Sequence, residues 1–242
     1  MAFNAKNYWE SRLTDIFSSR GVGHISFSEN YNHWLYKAKI RTMLKMIQHE
    51  RLGLDGKKVI DVGCGTGFWI DFYLGQRSEI HGLDITAVSI EKMEKKYPDG
   101  TFWQKDISSS EFSHDQRYKL VNMWDVMYHI VEDQLFENAL TNIANMLEPG
   151  GYFVVSDYFG AEKAVVPAEH VRYRNEAMYL EVANKIGLRH VRTIPLYRFL
   201  NRPMNLPTSL HNRLGPLLYA MDGFNKRIPP RNLSLALFQK ID

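Results

Sequence analysis

The stretch Val59-Ile60-Asp61-Val62-Gly63-Cys64-Gly65-Thr66-Gly67 constrains the fold of this chain more than any other. A β-branched run ends in three alternating glycines, and Phe68 to Leu74 follow with helical character. A buried strand that passes through a glycine turn into a helix N-terminus makes a cradle for a nucleotide-like group. The dinucleotide spacing G-x-G-x-x-G would put its third glycine at position 68, which is Phe68; here the third glycine is Gly67. Asp61 stands two places before the first glycine, in the approach to the turn. A carboxylate there repels a pyrophosphate. It suits a cationic amino group, or water beside one.

The rest of the pattern alternates strand and helix. Strands are expected at Lys58–Val62, Glu79–Leu83, Thr101–Gln104, Tyr118–Trp124 and Tyr152–Ser156. Helices are expected after Thr86, a possible N-cap, to about Lys96, and over Gln134–Leu147, with Pro149-Gly150-Gly151 ending the second. Beyond Asp157, Glu169–Ile186 has a helical pattern, and Arg189–Leu196 and Leu233–Lys240 are two further strands. Asn201–Asn232, with five prolines, is too long for a hairpin turn and is expected to fold over the active-site side. Such alternation predicts an α/β fold: a doubly wound, mostly parallel seven-stranded sheet, with ligands at the carboxyl ends of the strands. The 242 residues suffice for one large domain. Within it, residues 1–55 form an aromatic-rich helical N-terminal cap and 56–160 the cofactor-binding core. Residues 161–242 supply substrate-side helices and the last two strands.

Composition bounds the function classes. Cys64, the single cysteine, excludes an internal disulfide framework and fits a reducing compartment. The opening Met-Ala-Phe-Asn-Ala-Lys lacks a signal-peptide core, and no apolar run approaches membrane-spanning length, so a cytoplasmic location without membrane association is expected. The net charge of +3 hides an asymmetry. From His170 onward twelve Lys/Arg face four Asp/Glu. That excess fits an anionic substrate, an acidic partner or a solvated surface; no Lys/Arg block has the density of a nucleic-acid arm. The histidines show no metal-ligand spacing, and Asp125 with Asp157 lacks a third ligand, so no metal is expected.

Acids recur at strand ends in order: Asp61, Asp84 and Asp106. A carboxylate at Asp84 can take both ribose hydroxyls of a nucleoside. Trp124-Asp125-Val126-Met127-Tyr128-His129-Ile130 follows strand four, and Leu147-Glu148-Pro149-Gly150-Gly151 precedes strand five. These five ordered motifs, from about Lys58 to Tyr158, resemble the Rossmann-like class of S-adenosylmethionine (SAM)-dependent methyltransferases, of the small-molecule and sugar-tailoring kind. The resemblance implies SAM as cofactor, with S-adenosylhomocysteine (SAH) as product. It implies cofactor contacts from Asp61, Gly63, Gly65, Gly67, Asp84, Ile85, Asp106, Ile107 and Trp124, with Asp106 at the adenine amino group and Ile107 on the ring.

Methyl transfer to an alcohol calls for a general base. His129 and Asp157 are the candidates, and Tyr128 and Tyr158 are placed to position a substrate. His170, Arg172 and Arg174 are expected to open a helix as an anion-binding cluster. Tyr8, Trp9 and Arg12 share one helix face by spacing, either closing over the cofactor with Arg12 near its carboxylate or forming an apolar contact. The function expected is O-methylation of a small polar molecule or saccharide of anionic character. The alternatives are small-molecule N-methylation, RNA methylation and non-catalytic SAM binding. Trp124-Asp125-Val126-Met127 departs from the N/D-P-P-Y/F pattern of enzymes that methylate exocyclic amines of RNA. Oligomeric state is left open.

Overall fold

The computed structural model describes residues 3–23, 27–201, 207–224 and 233–241. The chain opens with three helices, α1 (Ala5–Asp15), α2 (Ser19–Val22) and α3 (Glu29–Glu50). Each begins at a polar N-cap, Asn4, Ser18 or Ser28, whose side chain accepts a backbone N–H in the first turn.

Seven strands form the main sheet. They are β1 (Lys58–Val62), β2 (Glu79–Asp84), β3 (Thr101–Gln104), β4 (Tyr118–Met123), β5 (Leu147–Asp157), β8 (Leu188–Pro195) and β9 (Ser234–Lys240), in the order β3-β2-β1-β4-β5-β9-β8. The first five run parallel; β9 lies antiparallel to both β5 and β8. Strand alternation sends successive residues to opposite faces. Val59, Leu120, Val154 and Leu235 pack on the side of α3, α4 (Phe68–Gly75) and α5 (Ala87–Lys96). Ile60, Val121, Val155 and Ala236 pack toward α6 (Asp133–Met146) and α7 (Glu176–Lys185). The strand order reverses between β1 and β4, so a crevice opens at their carboxyl ends. The doubly wound, mostly parallel seven-stranded sheet is as expected. Among the described residues no helix is long and apolar enough to cross a membrane.

Three local expectations are corrected. Residues 169–174 do not begin a helix. Val165–Ala168 (β6) and Val171–Tyr173 (β7) pair as an antiparallel hairpin, and α7 starts only after Asn175, which caps it by accepting from Met178 N. The β-branched valines and the stacking of Tyr173 on Tyr158, with centroids 3.6 Å apart, hold the extended form. Second, β5 starts at Leu147 and passes through Pro149-Gly150-Gly151 as a register shift against β4, with Gly150 at φ 68°. Third, Thr86 occupies the N-cap position of α5 without capping it: its hydroxyl donates to Asp84 Oδ1 at 2.7 Å.

The described parts of the 201–232 segment are α8 (Thr208–Arg213) and α9 (Gly215–Phe224). Both pack on α3, where Arg41 Nη1 donates to the Tyr219 carbonyl and Tyr31 Oη meets His211 Nε2. The expectation of a cap over positions 202–206 and 225–232 lies outside the described residues.

Candidate active site

The glycine turn is built by backbone geometry. Gly63, Gly65 and Gly67 have φ of 77°, 48° and 83°, the left-handed region that glycine alone enters freely. A Cβ at Gly63 would lie 2.3 Å from Val126 Cγ2, and one at Gly65 2.9 Å from Val22 Cγ1. The two glycines keep the turn flat where the crevice opens. Gly67 serves packing instead. It is the N-cap of α4, and its Cβ would meet Met93 Sδ at 2.7 Å and Tyr97 Oη at 2.9 Å.

A cavity of about 580 Å³ fills the crevice. Gly63, Gly65, Asp84, Ile85, Asp106, Ile107 and Trp124 line it, so the structure brings together seven of the nine cofactor residues expected. Asp84 Oδ2 accepts from Gly65 N at 2.9 Å, and Oδ1 accepts from Thr86 N at 2.9 Å. These bonds fix the acid against the glycine turn, and burial raises its pKa. Asp106 is held by Ser108, whose N–H and hydroxyl both donate to Oδ1.

Asp61 and Gly67 are the exceptions; neither lines the cavity. Asp61 is buried behind the turn, where Oδ1 accepts from Asn122 Nδ2 at 2.7 Å and Asn122 Oδ1 accepts from Tyr73 Oη at 2.8 Å. Burial raises its carboxyl to about 7, against the lowering effect of the Asn122 hydrogen bond. Asp61 braces β1 against β4 and α4.

A second chamber of about 280 Å³ adjoins the first. The two share Trp9, Val22, Tyr36, Asp125 and His129, which therefore mark their junction. His129 ends a short 3-10 turn at Met127–His129. Its Nδ1 lies 2.9 Å from the His170 carbonyl, an acceptor, so Nδ1 carries the hydrogen and Nε2 keeps the lone pair. Burial lowers the imidazole to about 4 and keeps it neutral. Tyr128, Tyr158 and His170 line the second chamber.

The remaining candidates lie elsewhere. Asp157 is fully buried and lines neither cavity; it accepts from Tyr158 N at 2.7 Å and from Tyr179 Oη at 2.7 Å. Burial raises its carboxyl to about 7. Its place corrects the expectation that it is a base. Arg172 and Arg174 also line neither cavity. Arg174 donates to the carbonyls of Ile130 at 2.8 Å and Val131 at 3.0 Å, and both arginines pair with Asp133. Their charge is spent on the start of α6, which corrects the expected anion cluster.

Two groups emerge that the sequence did not single out. Lys39 of α3 forms a buried ion pair with Asp125 at the chamber junction. Asp125 itself has φ 57° and is held further by Ser156, whose hydroxyl donates to its Oδ1. Glu10 of α1 accepts from Ala87 N at 2.7 Å and Val88 N at 3.0 Å, capping α5 from outside. This latch carries α1 across the cavity mouth, with Trp9 edge-on to His129 at 4.9 Å. Arg12 lies 5.0 Å from the Trp9 centroid and donates to Tyr8 Oη and to the Gly23 carbonyl. It lines the second chamber rather than the larger cavity. Among the described residues no group of three His, Cys, Asp or Glu side chains could hold a metal ion.

The larger cavity fits a nucleoside-bearing ligand. Its glycine cradle would be filled by a Cβ, and Asp84 and Asp106 place carboxylate acceptors along it at successive strand ends. Comparisons with known proteins agree. A ubiquinone biosynthesis O-methyltransferase of Proteus mirabilis is 29% identical over 137 residues, covering 53% of this chain and 54% of the relative. A dTDP-3-amino-3,4,6-trideoxy-alpha-D-glucopyranose N,N-dimethyltransferase of Streptomyces venezuelae is 25% identical over 109 residues, or 45% of each chain. The chain spans about half the length of these curated relatives. Among solved structures, magnesium protoporphyrin IX methyltransferase of Synechocystis PCC 6803 with bound SAM superposes with a TM-score of 0.64 at 15% identity, over 98% of this chain and 100% of that one. A Burkholderia thailandensis 1,6-didemethyltoxoflavin-N1-methyltransferase with bound SAH gives a TM-score of 0.59 at 16% identity, over 100% and 93%. A family model described as a methyltransferase domain matches residues 31–194. The chain therefore belongs to the methyltransferase-domain family, with the Rossmann-like fold of the SAM-dependent class.

Proposed function

We propose that this protein uses SAM to methylate an oxygen of a small polar acceptor. The observation that carries this reading is the pair of adjoining cavities with His129 at their junction. Gly63 and Gly65 would give the cofactor close backbone approach, Asp84 would hold its ribose and Asp106 its base. When bound, SAM supplies a sulfonium-activated methyl group: the new O–C bond forms as the S–C bond breaks, and the sulfur keeps the electron pair as SAH.

The chain's own residues do the rest. Trp9 and Leu13 of α1 and Val22 of α2 cover the larger cavity and limit water. Tyr128 and Tyr158 orient the acceptor. The neutral His129, its Nδ1–H held by the His170 carbonyl, offers Nε2 to the proton that leaves the acceptor oxygen. The O-methyltransferase relative supports oxygen as the target atom.

Isothermal titration is the test. SAM and SAH bind the wild type; Gly65→Arg and Asp84→Ala lose that binding. Failure of the wild type to bind either compound sinks the reading. A second reading, transfer to nitrogen, is favoured by the N,N-dimethyltransferase relative. It predicts that His129→Ala keeps full turnover, because an amine with a free lone pair needs no base.

A further inference from the structure

The second chamber contains two cations and one carboxylate. Lys39 lies on the same buried face of α3 as Leu35, Thr42 and Met46. Its ammonium stands 4.3 Å from the Tyr36 centroid, and its one hydrogen bond among the described residues goes to Asp125. An ammonium has three donors, so two are left over. Arg12 gives its guanidinium to two neutral acceptors, Tyr8 Oη and the Gly23 carbonyl, and has no carboxylate partner among the described residues. Two cations against Asp125 leave the chamber with net positive charge.

Stability does not account for this arrangement. A buried ion pair is often no better than an apolar pair of the same volume. Asp125 also occupies the left-handed region at φ 57°, which disfavours residues other than glycine. Both features fall at the junction with the larger cavity.

The walls favour a flat ring. Tyr36, Tyr128, Tyr158, Tyr173 and Tyr197 line the chamber. Their rings offer apolar area and edge contacts to a planar aromatic group. A saccharide would bury many hydroxyls there, each needing a polar partner. The volume of about 280 Å³ stands at the small end for ligand sites, which suits one ring rather than several.

We propose that this chamber is the acceptor site and selects a single-ring phenol, held as the phenolate against Lys39 and Arg12. This rests on the methyl-transfer reading above. The base is consistent with that class. His129, lowered to about 4 by burial, is weak. A phenol titrates at about 10, whereas an aliphatic alcohol titrates nearer to water, at about 15.7. Transfer of the phenol proton to Nε2 is therefore much less uphill, and the two cations reduce the gap further.

The experiment uses the full chain saturated with SAH and 4-nitrophenol as a chromophoric probe. Absorbance reports the phenolate directly while pH is varied, and the titratable groups that face the probe are Lys39, Arg12, Asp125, His129, His170 and the five tyrosines. Bound probe is expected to ionise at a proton concentration about tenfold higher than free probe. The double variant Lys39→Met with Asp125→Asn removes the ion pair as a unit and leaves Arg12 as the chamber's cation; it should reduce that shift and weaken phenolate binding about tenfold, measured at saturating SAH. No binding of 4-nitrophenol by the SAH-loaded wild type overturns the proposal, as does an ionisation of the bound probe unchanged from that of the free one. If the double variant does not fold, the wild-type ionisation alone decides. Failure to bind SAH counts against the methyl-transfer reading instead.

Discussion

The carboxylate of Glu10 caps a helix in another part of the chain, accepting from Ala87 N at 2.7 Å and from the next N–H, Val88, at 3.0 Å. A helix N-terminus carries unsatisfied donors and partial positive charge, so an acid there satisfies both. The link fastens α1, with Trp9 over the cavity, to the helix that follows Asp84. Glu10→Ala should cost about 1 kcal/mol, the usual worth of a cap. Because α1 is a wall of the cavity, SAH affinity should fall in the same variant, while Glu10→Gln retains part of both. Urea unfolding and calorimetric titration measure the two effects. Unchanged SAH affinity in Glu10→Ala would show that the latch does not govern the cavity.

The glycine turn separates cavity lining from packing. Gly65 lines the cavity; Gly67 does not, although both have positive φ. Gly67→Ala should therefore lose stability by about 1–2 kcal/mol, the cost of a left-handed non-glycine residue, aggravated by the contacts with Met93 and Tyr97. SAH affinity of the folded fraction should change little. Gly65→Ala should instead weaken SAH binding by more than its loss of stability. Equal effects of the two substitutions on affinity would contradict this division of roles.

What the sequence disclosed and what it hid divide along a physical line. The turn at Gly63–Gly67 and the acids at Asp84 and Asp106 were legible because strand period and glycine geometry are local properties. Lys39 was not singled out, because its partner Asp125 is 86 positions away and a lysine in a helix ordinarily faces water. A signal existed: Lys39 follows Leu35 by four and precedes Thr42 by three, on the stripe that α3 buries. Residues 169–174 carry a helical pattern yet belong to the hairpin and the link to α7, since the extended form depends on Tyr158 and on the His129–His170 bond, both distant in sequence. Arg172 and Arg174 suggested an anion site for want of sight of Asp133 and the carbonyls they satisfy.

Arg174 is 0% exposed and binds two carbonyls, Ile130 and Val131, directly after His129. Its partner Asp133 lies near the surface. Arg174→Met should destabilise the fold by about 1–3 kcal/mol for each of the two carbonyls it leaves unsatisfied. Arg174→Lys should recover little, because one ammonium cannot span both carbonyls and the carboxylate. In the folded fraction SAH affinity should be retained, since Arg174 lines neither cavity. A selective loss of SAH binding with normal unfolding would return Arg174 to the site.

Titration distinguishes the two candidate bases. His129 is lowered to about 4 from an ordinary 6.5. The unfolded chain thus takes up this proton at higher pH than the folded one. The neutral ring's stabilisation is complete above about 6.5 and is lost as pH falls toward 4. Asp157 has the opposite sign. Its carboxyl is raised from 3.8 to about 7, so its favourable contribution is complete below about 3.9 and lost as pH rises through 7. Asp157→Asn should accordingly gain stability relative to wild type between pH 5 and 8, its Nδ2 donating to Tyr179 Oη where the carboxylate accepted. Because Asp157 is sealed from both cavities, that variant should retain turnover within about threefold, against a loss of about 10²–10⁴ in His129→Ala, the usual worth of a general base. The wild-type rate should persist through pH 6 and fall only toward the His129 value. Urea midpoints across this range, paired with methyl-transfer rates, check both halves. A collapse of turnover in Asp157→Asn with SAH binding intact would reinstate Asp157 as the base and remove His129 from that role.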